Sequence, residues 1–296
     1  MKIVLLVILV FYSSISLAEI EGKTHIVWLT DDKDDEKNYI EDNQLSIGTD
    51  TINLVMKAIK NYQLNHQFAT IPRINVLLKT SDNICAANRL KTKERALNNI
   101  FSLPINIYPG LRLYYIDKYS TVPENLINQN GELTSLPELF EKRPDKVIGV
   151  SKGRSFGGYL DEQISLIPRE NINHRAGGGR YEALMQMLLK KRIDYLIDFP
   201  TEVKKKVDVA VLNDEVFSSS DIHSIAIANS PEYIFGRISC TKTAVGEAFI
   251  AEINEILLTL YNDPAFYQAH ARYINKNDLP DFKASFDKQF KKLFSN

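Results

Sequence analysis

The segment Gly149-Val150-Ser151-Lys152-Gly153-Arg154-Ser155-Phe156-Gly157-Gly158 concentrates residue types that chemistry needs. If it leaves a strand and enters a helix, free N–H groups, the Ser155 hydroxyl and the Arg154 guanidinium could converge on a carboxylate. It also contains Gly153-x-Ser155-x-Gly157, the pattern of a serine-hydrolase nucleophile elbow, with Asp198 and His223 following in the order Ser, Asp, His. That pattern is short, recurs by chance, and comes here without an upstream His-Gly-Gly-Gly oxyanion motif, so anion binding is the stronger reading. Asp198 and Glu202 are the other acid–base candidates if the chain is an enzyme. Gly177-Gly178-Gly179-Arg180 could offer N–H groups to an anion but lacks the Lys-Ser/Thr of a phosphate loop. His25, His66, His174, His223 and His270 are isolated and no Cys-x-x-Cys occurs, so neither metal nor cofactor is expected.

Alternating strands and helices must position this loop. Strands are expected at 25–29, 67–71, 83–87, 111–116, 146–150, 171–176, 193–199, 207–212 and 224–228. Ile52, Val55, Met56 and Ile59 mark an amphipathic helix with Thr49 or Asp50 as its N-cap. Helices are also expected at 156–166 and 180–191, the latter ending on cations that suit a helix C-terminus. Phe249, Ile253, Ile256, Leu257 and Leu260 form one late stripe, and Phe282, Phe286, Phe290 and Leu293 another; both read as core. Lys204-Lys205-Lys206 reads as a solvated helix face, and the acidic stretch 31–36 as a loop. Segment 119–143, with Pro123, Asn130-Gly131 and Pro137, and the serine run 218–220 read as crossings between lobes. This alternation predicts an α/β protein of two lobes, each a mainly parallel sheet flanked by helices, joined by two crossover hinges. The expected division is a leader at 1–18, lobe 1 from 19–118 and 218–296, and lobe 2 from 119–217.

The chain has 296 residues, 44% hydrophobic and 25% charged, the balance of a folded globular protein of two ordinary lobes. Its 36 basic and 37 acidic side chains leave a net charge of −1, which argues against a nucleic-acid partner. Met1-Lys2, an apolar run at 3–12 and Ser16-Leu17-Ala18 form a cleavable secretory leader with cleavage before Glu19. No later run is long and apolar enough to span a bilayer. An oxidising compartment permits a bridge between Cys85 and Cys240, the only two cysteines; two buried free thiols are the alternative.

Lys91-Thr92-Lys93-Glu94-Arg95 followed by Phe101-Ser102-Leu103-Pro104 resembles the Thr-x-x-Arg … Phe-Ser-x-Pro signature of family 3 extracellular solute-binding proteins. Segments 43–50, 148–155 and Arg192-Ile193-Asp194 also resemble that family, most nearly an uncharacterised branch with a Lys-Thr-x-Glu-Arg motif. The resemblance implies a two-lobed periplasmic receptor of the type II binding-protein fold, holding its ligand between the lobes without catalysis. It implies that Arg95 grips a ligand carboxylate, that groups around Arg154 and Ser155 complete the grip, and that Trp28 and Tyr39 supply aromatic packing. Asn88 and Thr92 are what remains of the Ser/Thr cluster usual before the arginine. Amino-acid binders of the family usually carry an aspartate where Phe199 stands; the nearest acids here are Asp198 and Glu202, and strand alternation would turn Asp198 away from Phe199. The expected ligand is thus a small anionic or amino-acid-like solute, captured by a monomer for an inner-membrane transporter or a sensor receptor.

Overall fold

The computed structural model describes residues 23–31, 38, 45–176, 180–213 and 221–290. The expected leader, Tyr39, residues 32–36, the glycines 177–179, the serine run 218–220 and Leu293 lie outside them.

Eleven strands among the described residues form two sheets. The first has the order β2 (Tyr62–Phe68), β1 (Thr24–Thr30), β3 (Ile84–Arg89), β11 (Tyr233–Thr241), β4 (Asn99–Pro109). The second runs β6 (Glu132–Leu133), β10 (Ile222–Ile227), β5 (Arg112–Ile116), β9 (Tyr195–Asp198), β7 (Ile148–Ser151), β8 (Ile172–Arg175). Both are mixed: two of the four pairings in the first sheet and three of the five in the second are parallel. The strands that cross between lobes arrive antiparallel: β11 against β3 and β4, and β5 against β9 and β10. Strands 111–116 and 224–228, expected in the first lobe, pair in the second sheet. The stretch 119–143, expected as a crossing, belongs there too, because β6 pairs with β10.

The two crossings are short and lie side by side. Pro109 pairs with Tyr233 on one side and Arg112 with Ala226 on the other, and the Gly110 N–H donates to Glu232 O at 2.7 Å. A Cβ on Gly110 would sit 2.5 Å from Pro231 O, so only glycine allows this approach.

Helix α1 (Ile47–Ala58) starts earlier than expected. Ser46 is its N-cap, accepting from Thr49 N at 3.1 Å, and Asp50 instead pairs with Arg272 at 3.1 Å. The expected strand at 67–71 is displaced. Polar, alternating 62–68 forms the edge strand β2, and Ile71 opens α2 (Ile71–Thr80), with Pro72 in its first turn. The strand expected at 207–212 is the end of a helix, Pro200–Asn213. Trp28, Phe249, Ile253, Leu257, Phe282, Phe286 and Phe290 are buried in one first-lobe core, as the stripes predict; Leu139, Phe140, Ile148 and Tyr195 centre the second lobe. Cys85 and Cys240 stand opposite one another in the β3/β11 ladder and are bridged.

Candidate functional site

Local rules explain how Arg95 is placed. Thr92 is the N-cap of α3 (Lys93–Asn98), and its Oγ1 accepts from the Arg95 N–H at 3.2 Å. The Thr-x-x-Arg spacing is therefore a cap and the third residue of its helix. The Arg95 guanidinium is half-buried and donates through Nη1 to Leu90 O at 3.1 Å. Among the described residues it makes no ion pair, and burial lowers its pKa.

Arg95 lines a cavity of ≈ 240 Å³ between the lobes. The first lobe contributes Leu29, Thr49, Asn88 and Tyr108; the second contributes Arg154, Ser155, Asp198, Phe199, Glu202 and Lys206. Several contacts cross between the lobes here. Phe199 stacks on Tyr108 with ring centroids 4.6 Å apart, Asn75 Nδ2 donates to Gly153 O at 3.0 Å, and Lys205 Nζ to Leu45 O at 2.8 Å. Asn88 adopts a left-handed φ of 54°, and its Oδ1 accepts from Asn106 Nδ2 at 2.7 Å.

The loop after β7 carries its own carboxylate. Ser155 Oγ donates to Asp161 Oδ2 at 2.5 Å, and the Phe156 N–H donates to Asp161 Oδ1 at 2.6 Å. Gly153 and Gly157 take positive φ to shape it. In this conformation the donors expected to complete the ligand grip are held by Asp161.

Arg154 is engaged likewise. Its Nη2 lies 3.1 Å from Asp198 Oδ1, and its guanidinium lies 4.9 Å from the Phe156 ring centre and 5.4 Å from that of Phe199. Lys206 Nζ reaches Asp198 Oδ2 at 2.8 Å, so this lysine is buried and paired rather than solvated. Burial alone would raise the Asp198 pKa, but Lys206 and Arg154 outweigh it and bring it to about 2. Asp198 is thereby a fixed anion near neutral pH rather than a proton carrier. Burial raises the pKa of the neighbouring Glu202 carboxyl.

Asp198 and Phe199 both line the cavity, contrary to the expected alternation, because β9 ends at Asp198 and the chain turns into a helix at Pro200. Trp28 does not reach the cavity: it is fully buried on the core face of β1 beside Ile26. His223 is far from Ser155. It lies on β10, stacked on Tyr115, and β5 and β9 separate its strand from β7, about 14 Å at ordinary strand spacing. No Ser–His pair forms. Tyr108, Arg89 and Lys206 are cavity residues that sequence patterns did not single out. A buried arginine ending the small, apolar strand 84–89 was the available signal for Arg89.

No protein-family model matches this chain, and no curated protein matches it. Solved structures share its fold. A Streptococcus mutans chain from work on glutathione import via GshT and the cystine ABC importer TcyBC is 14% identical, with a TM-score of 0.57, covering 87% of this chain and 100% of that one. An ABC uptake transporter substrate-binding protein from Streptococcus pneumoniae with bound histidine is 17% identical, with a TM-score of 0.55, covering 84% of this chain and 92% of that one. A histidine kinase sensor domain similar to periplasmic binding proteins is 11% identical, with a TM-score of 0.58 over 86% of this chain and 97% of that one. At these identities the likeness is one of architecture: the chain has the two-lobed fold of the periplasmic binding proteins.

Proposed function

We propose that this chain is an exported solute-binding protein that closes its lobes on a small carboxylate-bearing solute, without covalent chemistry. The observation that carries the reading is Arg95, a half-buried guanidinium in the inter-lobe cavity that makes no ion pair among the described residues, although the charges of Asp161 and Glu94 act on it. Guanidinium geometry suits bidentate capture of a carboxylate. Phe199 stacked on Tyr108 occupies the place where the resembled family carries its ammonium-binding aspartate, which disfavours an ordinary α-amino acid. The bridge between Cys85 and Cys240 supports an oxidising compartment, in keeping with the leader at 1–18. Closure turns about the paired crossings at Gly110 and Glu232, and the bound solute is passed to a transporter or read by a receptor.

Thermal unfolding of residues 19–296 against amino acids, dicarboxylates, aromatic acids and short peptides tests the reading. A ligand at about a hundred times its Kd adds about 2.7 kcal/mol. A stabilising solute whose effect is lost in Arg95→Ala supports the proposal; a folded protein that no small solute stabilises overturns it.

A further inference from the structure

The cavity that holds Arg95 continues past it. A second cavity, ≈ 1060 Å³, shares Arg89, Leu90, Arg95, Arg154, Ser155 and Ile234 with the first, so Arg95 stands at their junction. Small-molecule sites span about 300–1,000 Å³, and the outer space alone reaches the top of that range.

Its charge is lopsided. Seven of its lining side chains are Lys or Arg and three are Asp or Glu, in a chain whose net charge is −1. Lys79 pairs with Glu94 at 3.0 Å and Arg154 with Asp198 at 3.1 Å, while Asp161, held by the neutral donors of Ser155 and Phe156, keeps its charge; five cations then face Asp161 and Glu162. On the wall, Arg89 and Arg237 are direct cross-strand partners in the β3/β11 pair. Cross-strand partners project to the same face of a sheet, so both side chains can reach this wall, where Arg89 donates to Asn75. Arg89 is buried; Arg237 is half-buried, and burial lowers its pKa. Arg237 Nη1 donates to Ser102 O at 2.7 Å, as Arg95 donates to Leu90 O. Neutral carbonyls orient these two guanidiniums without cancelling their charge, and among the described residues neither makes an ion pair.

We infer that the outer cavity is the second half of the ligand site, and that the solute is elongated and carries at least two anionic groups. One group meets Arg95; the other meets Arg237 beside Arg89. Carboxylate and phosphate share the required chemistry, since both match a guanidinium fork. This inference rests on the binding reading above.

Calorimetry on residues 19–296 tests it, using α,ω-dicarboxylates of increasing length, the matching monocarboxylates, and organic bisphosphates. A dianion of suitable length should bind at least about tenfold more tightly than its monoanion, the effect of one added charge-assisted contact. The preference should collapse in Arg237→Met and survive in part in Arg237→Lys. The dianion's affinity should also fall more steeply with added salt. Preference for dicarboxylates or for bisphosphates identifies the anionic group. Equal binding of mono- and dianions, or a preference unchanged in Arg237→Met, overturns the inference while leaving the binding reading standing. Failure of every anion and every other solute to bind overturns both. If Arg237→Met does not fold, Arg237→Lys carries the test: a dianion preference as large as wild type would overturn the fork contact.

Discussion

Replacing Asp198 by asparagine keeps the size of the side chain and removes its charge. The carboxylate is 2% exposed and lies between Arg154 at 3.1 Å and Lys206 at 2.8 Å, while also accepting from the Phe199 N–H at 3.0 Å. Lowering its pKa from 3.8 to about 2 corresponds to about 2 kcal/mol of native stability at neutral pH. The variant should lose at least that much, because Arg154 and Lys206 each lose a charge-assisted contact. A carboxyl with a depressed pKa stabilises fully above its unfolded value and loses that contribution as pH falls towards the folded one. At about pH 3 only about half of the wild-type contribution remains. Urea unfolding of both proteins from neutral pH downward should thus show a large gap that narrows by about 1 kcal/mol between about pH 5 and about pH 3. A gap below about 1 kcal/mol at neutral pH, or one that stays constant down to about pH 3, would refute the description of Asp198 as a charge-paired anion.

Gly110→Ala should force the crossing strands apart, since its Cβ would meet Pro231 O at 2.5 Å and Glu232 O at 3.1 Å; a loss of about 1–3 kcal/mol in urea and a changed scattering radius would show it. Opening the Cys85–Cys240 bridge, with its 155-residue separation, should lower stability by up to about 5 kcal/mol, read from unfolding with and without reductant; no change would mean the unfolded chain is unconstrained by the bridge. His270 is buried with its pKa lowered to about 4: Nδ1 bonds to Phe266 O at 2.7 Å and Nε2 accepts from the Ile107 N–H at 3.3 Å. Its contribution, about 3 kcal/mol, is present above about pH 6.5 and is lost as pH falls towards about 4, so His270→Gln should flatten the wild-type stability curve across that window.

Patterns with a strong period were legible in the sequence. The stripe of α1 and the phenylalanines of the last helix face the core, and the buried strands 84–89 and 148–151 fall close to the positions their apolar runs imply. Segment 207–212 misled because a short apolar run fits a strand or the inner face of a helix equally well. Strand β4 was hidden by Pro104, which sits where the β4/β11 register shifts, a place where a missing N–H does little harm. In the site, Arg95 was visible only through the Thr-x-x-Arg resemblance; that the spacing is a helix cap emerged from the structure. Lys206, Tyr108 and the Asp161 contact were not: Tyr108 meets Phe199 from the other lobe, Lys206 turns back from its helix onto Asp198 at the end of β9, and Asp161 reaches from its helix to the loop before it.

The position of β11 has a consequence for the order in which the chain is made. Among the described residues β4 pairs only with β11, and β3 has β11 as its second neighbour, yet β11 begins 124 residues after β4 ends. All the strands of the second sheet lie between them in the chain, so that lobe can be complete while the first still lacks an inner strand. A chain that leaves a translocon N-terminus first must therefore hold β4 unpaired and Cys85 as a thiol until residues 233–241 emerge. That interval exposes an apolar strand edge to other chains. If the chain is exported as proposed, chaperone protection and thiol oxidation would act late in export, on a molecule whose second lobe can already be folded.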